Sequence, residues 1–118
     1  DDGHLYACGN GGNYICANLD SGKRLWSTFK PAAGERPASW ANVFTVKQGN
    51  RFFLANDFGE LIIAHLSPKG YREISRSKLI EPTHRVGHRT LVWSHPAFAN
   101  RRVYLRNDFE IRCYDLAK

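Results

Sequence analysis

The chain has 118 residues, a net charge of +6 and three cysteines, Cys8, Cys16 and Cys113. That length suits one small domain with a modest core, and no apolar run approaches the ~18–20 residues of a membrane span. Lys and Arg stand singly or in pairs, which argues against a nucleic-acid partner, and three cysteines without a CxxC spacing argue against a disulfide framework.

Most apolar residues alternate, or run four to six together between Gly, Asn, Asp and Pro, which is strand punctuation. Asp1–His4 reads as the end of a turn, and no segment of the secretory-leader kind follows. Leu5–Gly9 is a strand, and Asn10–Asn13 suits a two-residue hairpin turn centred on Gly11-Gly12. Tyr14–Leu19 returns, Asp20-Ser21-Gly22 turns, and Lys23–Thr28 is a third strand. On this register Cys8 and Cys16 fall on opposite faces. Lys30–Ala38, with two prolines and a glycine, is a connecting loop.

Ser39–Lys47 opens a second unit as a strand, turned by Gln48-Gly49-Asn50. Arg51–Ala55 and Glu60–Leu66 are joined by Asn56-Asp57-Phe58-Gly59, and Pro68-Lys69-Gly70 leads into Tyr71–Arg76. Ser77–Leu91 is polar, holds Pro82 and Gly87, and reads as a long loop with one ordered piece at Leu79-Ile80. Val92–Phe98, Arg102–Arg106 and Glu110–Leu116 are the strands of a third unit.

These units repeat. Leu5–Leu19 aligns on Phe52–Leu66 without a gap at an offset of 47, and Arg51–Leu54 aligns on Arg102–Leu105 at 51. Asn56-Asp57 falls on Asn107-Asp108 at that same offset, and Trp40-Ala41-Asn42 on Trp93-Ser94-His95 at 53. The third unit drops the glycine after its Asp, so its hairpin is expected to be tighter or differently twisted. Four strands per repeat of this length mark a β-propeller blade. The expected fold is therefore all-β: a partial β-propeller of about two and a half four-stranded antiparallel blades, near 1–30, 39–76 and 92–118. On that count the chain is a piece of a larger ring, whose remaining blades are its first partners. Ending after a third strand would fit a ring closed by an N-terminal strand.

Cys16–Trp26, CANLDSGKRLW, resembles the tryptophan-docking repeat of the PQQ-like, quinoprotein-type β-propellers. In that pattern Cys16 takes the Ala place, Asn18 the Asp place, Ser21 the Thr place, Gly22 the Gly and Trp26 the Trp. A second copy, Ile63–Ile74, keeps Gly70 with one inserted residue, but has His65 for Asp and Ile74 for Trp. A third restores Asp115. The family includes relatives of the outer-membrane assembly lipoprotein of the BamB type. The resemblance implies a bacterial cell-envelope scaffold, periplasmic or secreted, that binds a protein or small-ligand partner without catalysing a reaction. The competing class within the family is part of a PQQ-dependent quinoprotein oxidoreductase whose active site lies largely in missing blades. The resemblance leaves PQQ and calcium to a full-length parent and implies no cofactor within these residues.

The residue roles expected here are structural. Gly22, Gly59 and Gly70 serve turns, Trp26 docks one sheet on the next, and Trp40 and Trp93 pack between blades. Packing is favoured over a channel mouth in which Trp40, Trp93, Asn42 and His95 bind a small ligand or peptide. His84, His88 and His95 raise a metal reading, but an i, i+4 pair converges only on a helix, and Pro82 and Gly87 oppose one. No Cys-Cys pair, GxSxG elbow or phosphate loop occurs.

Overall fold

Two strands carry unbroken apolar runs, Phe52-Phe53-Leu54-Ala55 and Leu61-Ile62-Ile63-Ala64, the pattern of strands covered on both faces. They form the middle of the molecule. The computed structural model describes residues 1–32, 34 and 36–117, and among these it has twelve strands in four antiparallel sheets. The first sheet has the order β1 (His4–Cys8), β2 (Tyr14–Asn18), β3 (Arg24–Thr28). The central sheet runs β4 (Val43–Gln48), β5 (Arg51–Asn56), β6 (Glu60–Ser67), β7 (Gly70–Lys78). A small hairpin pairs β8 (His84–Val86) with β9 (Arg89–Leu91), and the last sheet runs β10 (Ala97–Ala99), β11 (Arg102–Arg106), β12 (Ile111–Asp115). No helix among the described residues is long and apolar enough to cross a membrane.

Alternation divides the central sheet between two cores. One face sends Val43, Phe52, Leu54, Ile62 and Ala64 toward the first sheet, where Tyr14 is sealed and Tyr6, Cys8 and Trp26 pack around it. The Tyr14 hydroxyl meets Thr45 Oγ1 at 2.8 Å, so this buried phenol is satisfied. The opposite face sends Ala55, Leu61, Phe44 and Phe53 toward Val103, Leu105 and Phe98 of the last sheet. Leu79 and Ile80 complete that second core.

The strands differ from the sequence reading in four places. Ser39–Asn42 is not strand: Trp40 sits in a turn at φ +59, and β4 starts at Val43. Val92–Phe98 shortens to Ala97–Ala99, since Pro96 has no N–H to give a ladder. The polar stretch 77–91 is not all loop. β7 continues to Lys78, and β8 and β9 pair as Val86↔Arg89 around Gly87-His88, with Gly87 at φ +57. Its signal was the β-branched Val86 and Thr90 flanking a Gly-first two-residue turn. Finally, Cys8 and Cys16 share one face. The register Cys8↔Tyr14 and Tyr6↔Cys16 encloses an odd loop, Asn10–Gly12, between Gly9 and Asn13. An odd loop reverses the parity that a two-residue turn would impose.

The first two sheets also share a defect. The β2–β3 ladder shifts between Cys16 and Ala17, leaving Leu25 as the extra residue on β3. The β6–β7 ladder shifts between Ile63 and Ala64, the same offset of 47, leaving Ile74 extra on β7. Because Trp26 pairs with Cys16 and Ser75 with Ile63, Ser75 rather than Ile74 occupies the place of Trp26. The Pro68-Lys69 turn is the tighter one, pairing Ser67 with Gly70, and β6 and β7 are longer than β2 and β3.

Candidate functional site: an aromatic cleft beside a buried ion pair

The residues of the Cys16–Trp26 pattern lie at the outer end of the first sheet. Cys16 is fully buried. Asn18 Oδ1 accepts from Ser21 N–H at 2.9 Å and Ser21 Oγ at 2.8 Å, while Gly22, at φ +68, donates its N–H to Asn18 O. The short polar side chain at position 18 thus shapes the turn, as Asx residues do. Trp26 packs against Tyr6 and Tyr14 with ring centroids at 6.1 and 6.4 Å, and its Nε1–H donates to Ser67 O of β6 at 2.8 Å. That bond contributes about 1 kcal/mol of sheet-to-sheet attachment. Gly70 opens β7 at φ +154.

Gly59 faces a stricter demand. It sits at φ +80, and an added Cβ would lie 1.8 Å from Ile80 O. Its own carbonyl accepts from Leu79 N–H at 2.9 Å and Ile80 N–H at 3.3 Å. The segment leaving the central sheet is thereby clipped onto the β5–β6 hairpin.

That segment brings Arg89 onto Asp57. Asp57 is only 1 % exposed, and its Oδ2 is ion-paired with an Arg89 guanidinium nitrogen. The other Arg89 terminal nitrogen donates to Ser39 O, and the guanidinium lies 5.0 Å from the Phe58 ring centroid. Val92 N–H reaches Asp57 O at 2.8 Å. Burial pushes the Asp57 carboxyl above the usual carboxylate range, and the Arg89 charge pulls it part of the way back. Asp57 was read from the sequence as a turn residue. No sequence pattern marked Arg89 as its partner, because the two meet only once the segment 79–92 folds over the hairpin.

Arg89 also anchors the turn that carries Trp40. The indole is 48 % exposed, and Gly87 lies close enough that an added Cβ would meet the ring at 3.4 Å. A bulky residue at φ +59 is a backbone outlier costing roughly 1–3 kcal/mol. Trp93, 47 % exposed, has its ring centroid 5.6 Å from that of His84. His95 packs on Phe44 at 3.8 Å. Neither tryptophan is sealed between sheets. Both stand on the wall of one cleft of about 440 Å³, with Cys8, Asn10, Asn42, Phe44 and His95. This cleft lies at the β1 and β4 edge, opposite the edge that holds Trp26.

Several chemistries find no support in this geometry. Burial, with the Asp57 charge as a second cause, pushes the Cys8 thiol up to about 11, so it stays protonated near neutral pH and is a poor nucleophile. His84 and Asp108 approach at 3.5 Å, His95 is against Phe44, and His88 occupies the β8–β9 turn. Among the described residues no group of three His, Cys, Asp or Glu side chains is placed to hold a metal ion. Of the two hairpin aspartates, Asp57 is closed off by Arg89, whereas Asp108 is half exposed. Compared with known proteins, the chain matches no family model and no curated protein.

Proposed function

We propose that the chain is a segment of a PQQ-like β-propeller and acts as a non-catalytic scaffold and interaction module. The observation that carries this reading is the repeated sheet. Consecutive up-and-down sheets lie face to face, and the ladder shift at Cys16/Ala17 recurs at Ile63/Ala64. The bond from Trp26 to Ser67 joins neighbouring sheets, in keeping with a docking role. The buried Asp57–Arg89 pair ties the segment 79–92 to the central sheet, in keeping with a structural part. A cell-envelope location and partner blades belong to the same proposal.

The test is a titration of the full-length parent of this segment with PQQ and calcium, followed by absorbance and by reduction of an artificial electron acceptor on adding an alcohol or an aldose. Neither saturable binding nor acceptor reduction is expected. Saturable binding with acceptor reduction would replace this reading with a quinoprotein oxidoreductase.

A further inference from the structure

We infer that the cleft walled by Trp40 and Trp93 binds a neutral sugar ring. This goes beyond the scaffold reading and does not depend on it, because it is argued from side chains of the described residues alone. Its volume of about 440 Å³ lies within the range of small-ligand pockets, roughly 300–1,000 Å³.

Three observations give the cleft its chemistry. The first is that its aromatic walls are exposed and braced from behind. Trp40 backs onto Gly87, Trp93 onto His84, and His95 onto Phe44. Both indoles remain about half exposed, which leaves ring area for a ligand to stack on. The second is the backbone of Trp40. Its left-handed φ is held by the Arg89 bond to Ser39 O, and strain of this kind concentrates at binding and switch sites. The third is the polar lining, which consists of the Asn10 and Asn42 amides, the Cys8 thiol and the His95 imidazole, with no Lys, Arg, Asp or Glu. Asn42 Oδ1 accepts from Val43 N–H at 2.8 Å, which orients its carboxamide with the Nδ2 donors remaining for a ligand.

A pyranose meets each of these. Its C–H face stacks on an indole, and its hydroxyls both donate and accept, as carboxamides do. A nucleotide or a polycarboxylate would find no Lys or Arg among the residues that line this cleft.

The experiment titrates the full chain with cellobiose, maltose and N,N′-diacetylchitobiose, read by tryptophan fluorescence and by calorimetry. At least one disaccharide is expected to bind saturably. Trp93→Ala and Trp40→Ala should each weaken it at least about tenfold, and Asn42→Ala severalfold, while Trp26→Phe leaves the affinity unchanged. Should Trp40→Ala unfold, Trp93→Ala and Asn42→Ala carry the test, with circular dichroism confirming their fold. The inference is overturned if no disaccharide binds, if binding survives Trp93→Ala and Asn42→Ala, or if decaproline saturates the fluorescence where sugars do not. Saturable binding of PQQ with acceptor reduction would overturn the scaffold reading, whereas silence from sugars and PQQ alike overturns only this inference.

Discussion

The hairpin Asn56-Asp57-Phe58-Gly59-Glu60 and the hairpin Asn107-Asp108-Phe109-Glu110 share their sequence but for one glycine, and they end in different circumstances. In both, the Asn Oδ1 accepts two backbone N–H groups: Phe58 and Glu60 in one, Phe109 and Glu110 in the other. The glycine lengthens the first loop to three residues, the arrangement in which an αL glycine closes the turn. Without it, Asn107 N–H bonds Glu110 O around a two-residue loop, and the hairpin is tighter. The larger contrast lies in what covers them. Asp57 is sealed under Arg89 and the 79–92 segment, whereas Asp108 is half exposed and meets Thr83 Oγ1 at 3.1 Å. Phe58 lies beside a guanidinium, while Phe109 is 85 % exposed. One local code thus serves both as a turn and as the foundation of a tertiary contact, and the covering segment decides which.

Substitutions at matched positions are the way to break that contrast. Gly59→Ala should have the largest effect. It places a methyl against Ile80 O in a left-handed backbone, and a loss of about 4 kcal/mol is expected from urea unfolding of the whole chain. A loss under about 1 kcal/mol would mean that the Ile80 clip is not held in solution. Next come the two aspartates. Asp57→Ala strands Arg89, which is only partly exposed, and should cost about 3 kcal/mol. Asp108→Ala removes a solvated carboxylate and should shift stability by less than about 0.5 kcal/mol. Equal losses at the two sites would dissolve the distinction. The smallest contrast within a matched pair is expected of the phenylalanines. Phe58→Ala should cost about 1 kcal/mol through lost cation–π and packing contact, and Phe109→Ala close to none, measured by the shift in thermal midpoint.

Much of the fold was legible because turns and runs carry their own physics. The strand pairs of all three units were marked by their apolar runs and turns, and the dropped glycine announced the tighter third hairpin. The sequence misled where tertiary contacts override local pattern. Trp40 follows a plausible strand start, yet Arg89, fifty residues on, holds its turn through Ser39 O. The Cys8 and Cys16 faces were reversed because loop parity depends on one residue in a run of Asn and Gly. Of the cleft, Trp40, Asn42, Trp93 and His95 were visible as aligned positions in two repeats. Cys8, Asn10 and Phe44 were not, since they reach the cleft from other elements.

The paired ladder shifts on β3 and β7 bear on aggregation. An extra residue sharpens the twist of an outer strand and spoils its register for a second chain, and β7 adds the charges of Arg72, Glu73, Arg76 and Lys78. The last sheet has no such shift: β12 pairs with β11 in unbroken register and presents Ile111 at 74 % exposure. Amyloid-like strand addition, if forced by concentration, is therefore expected to begin at β12 and to spare the two bulged edges.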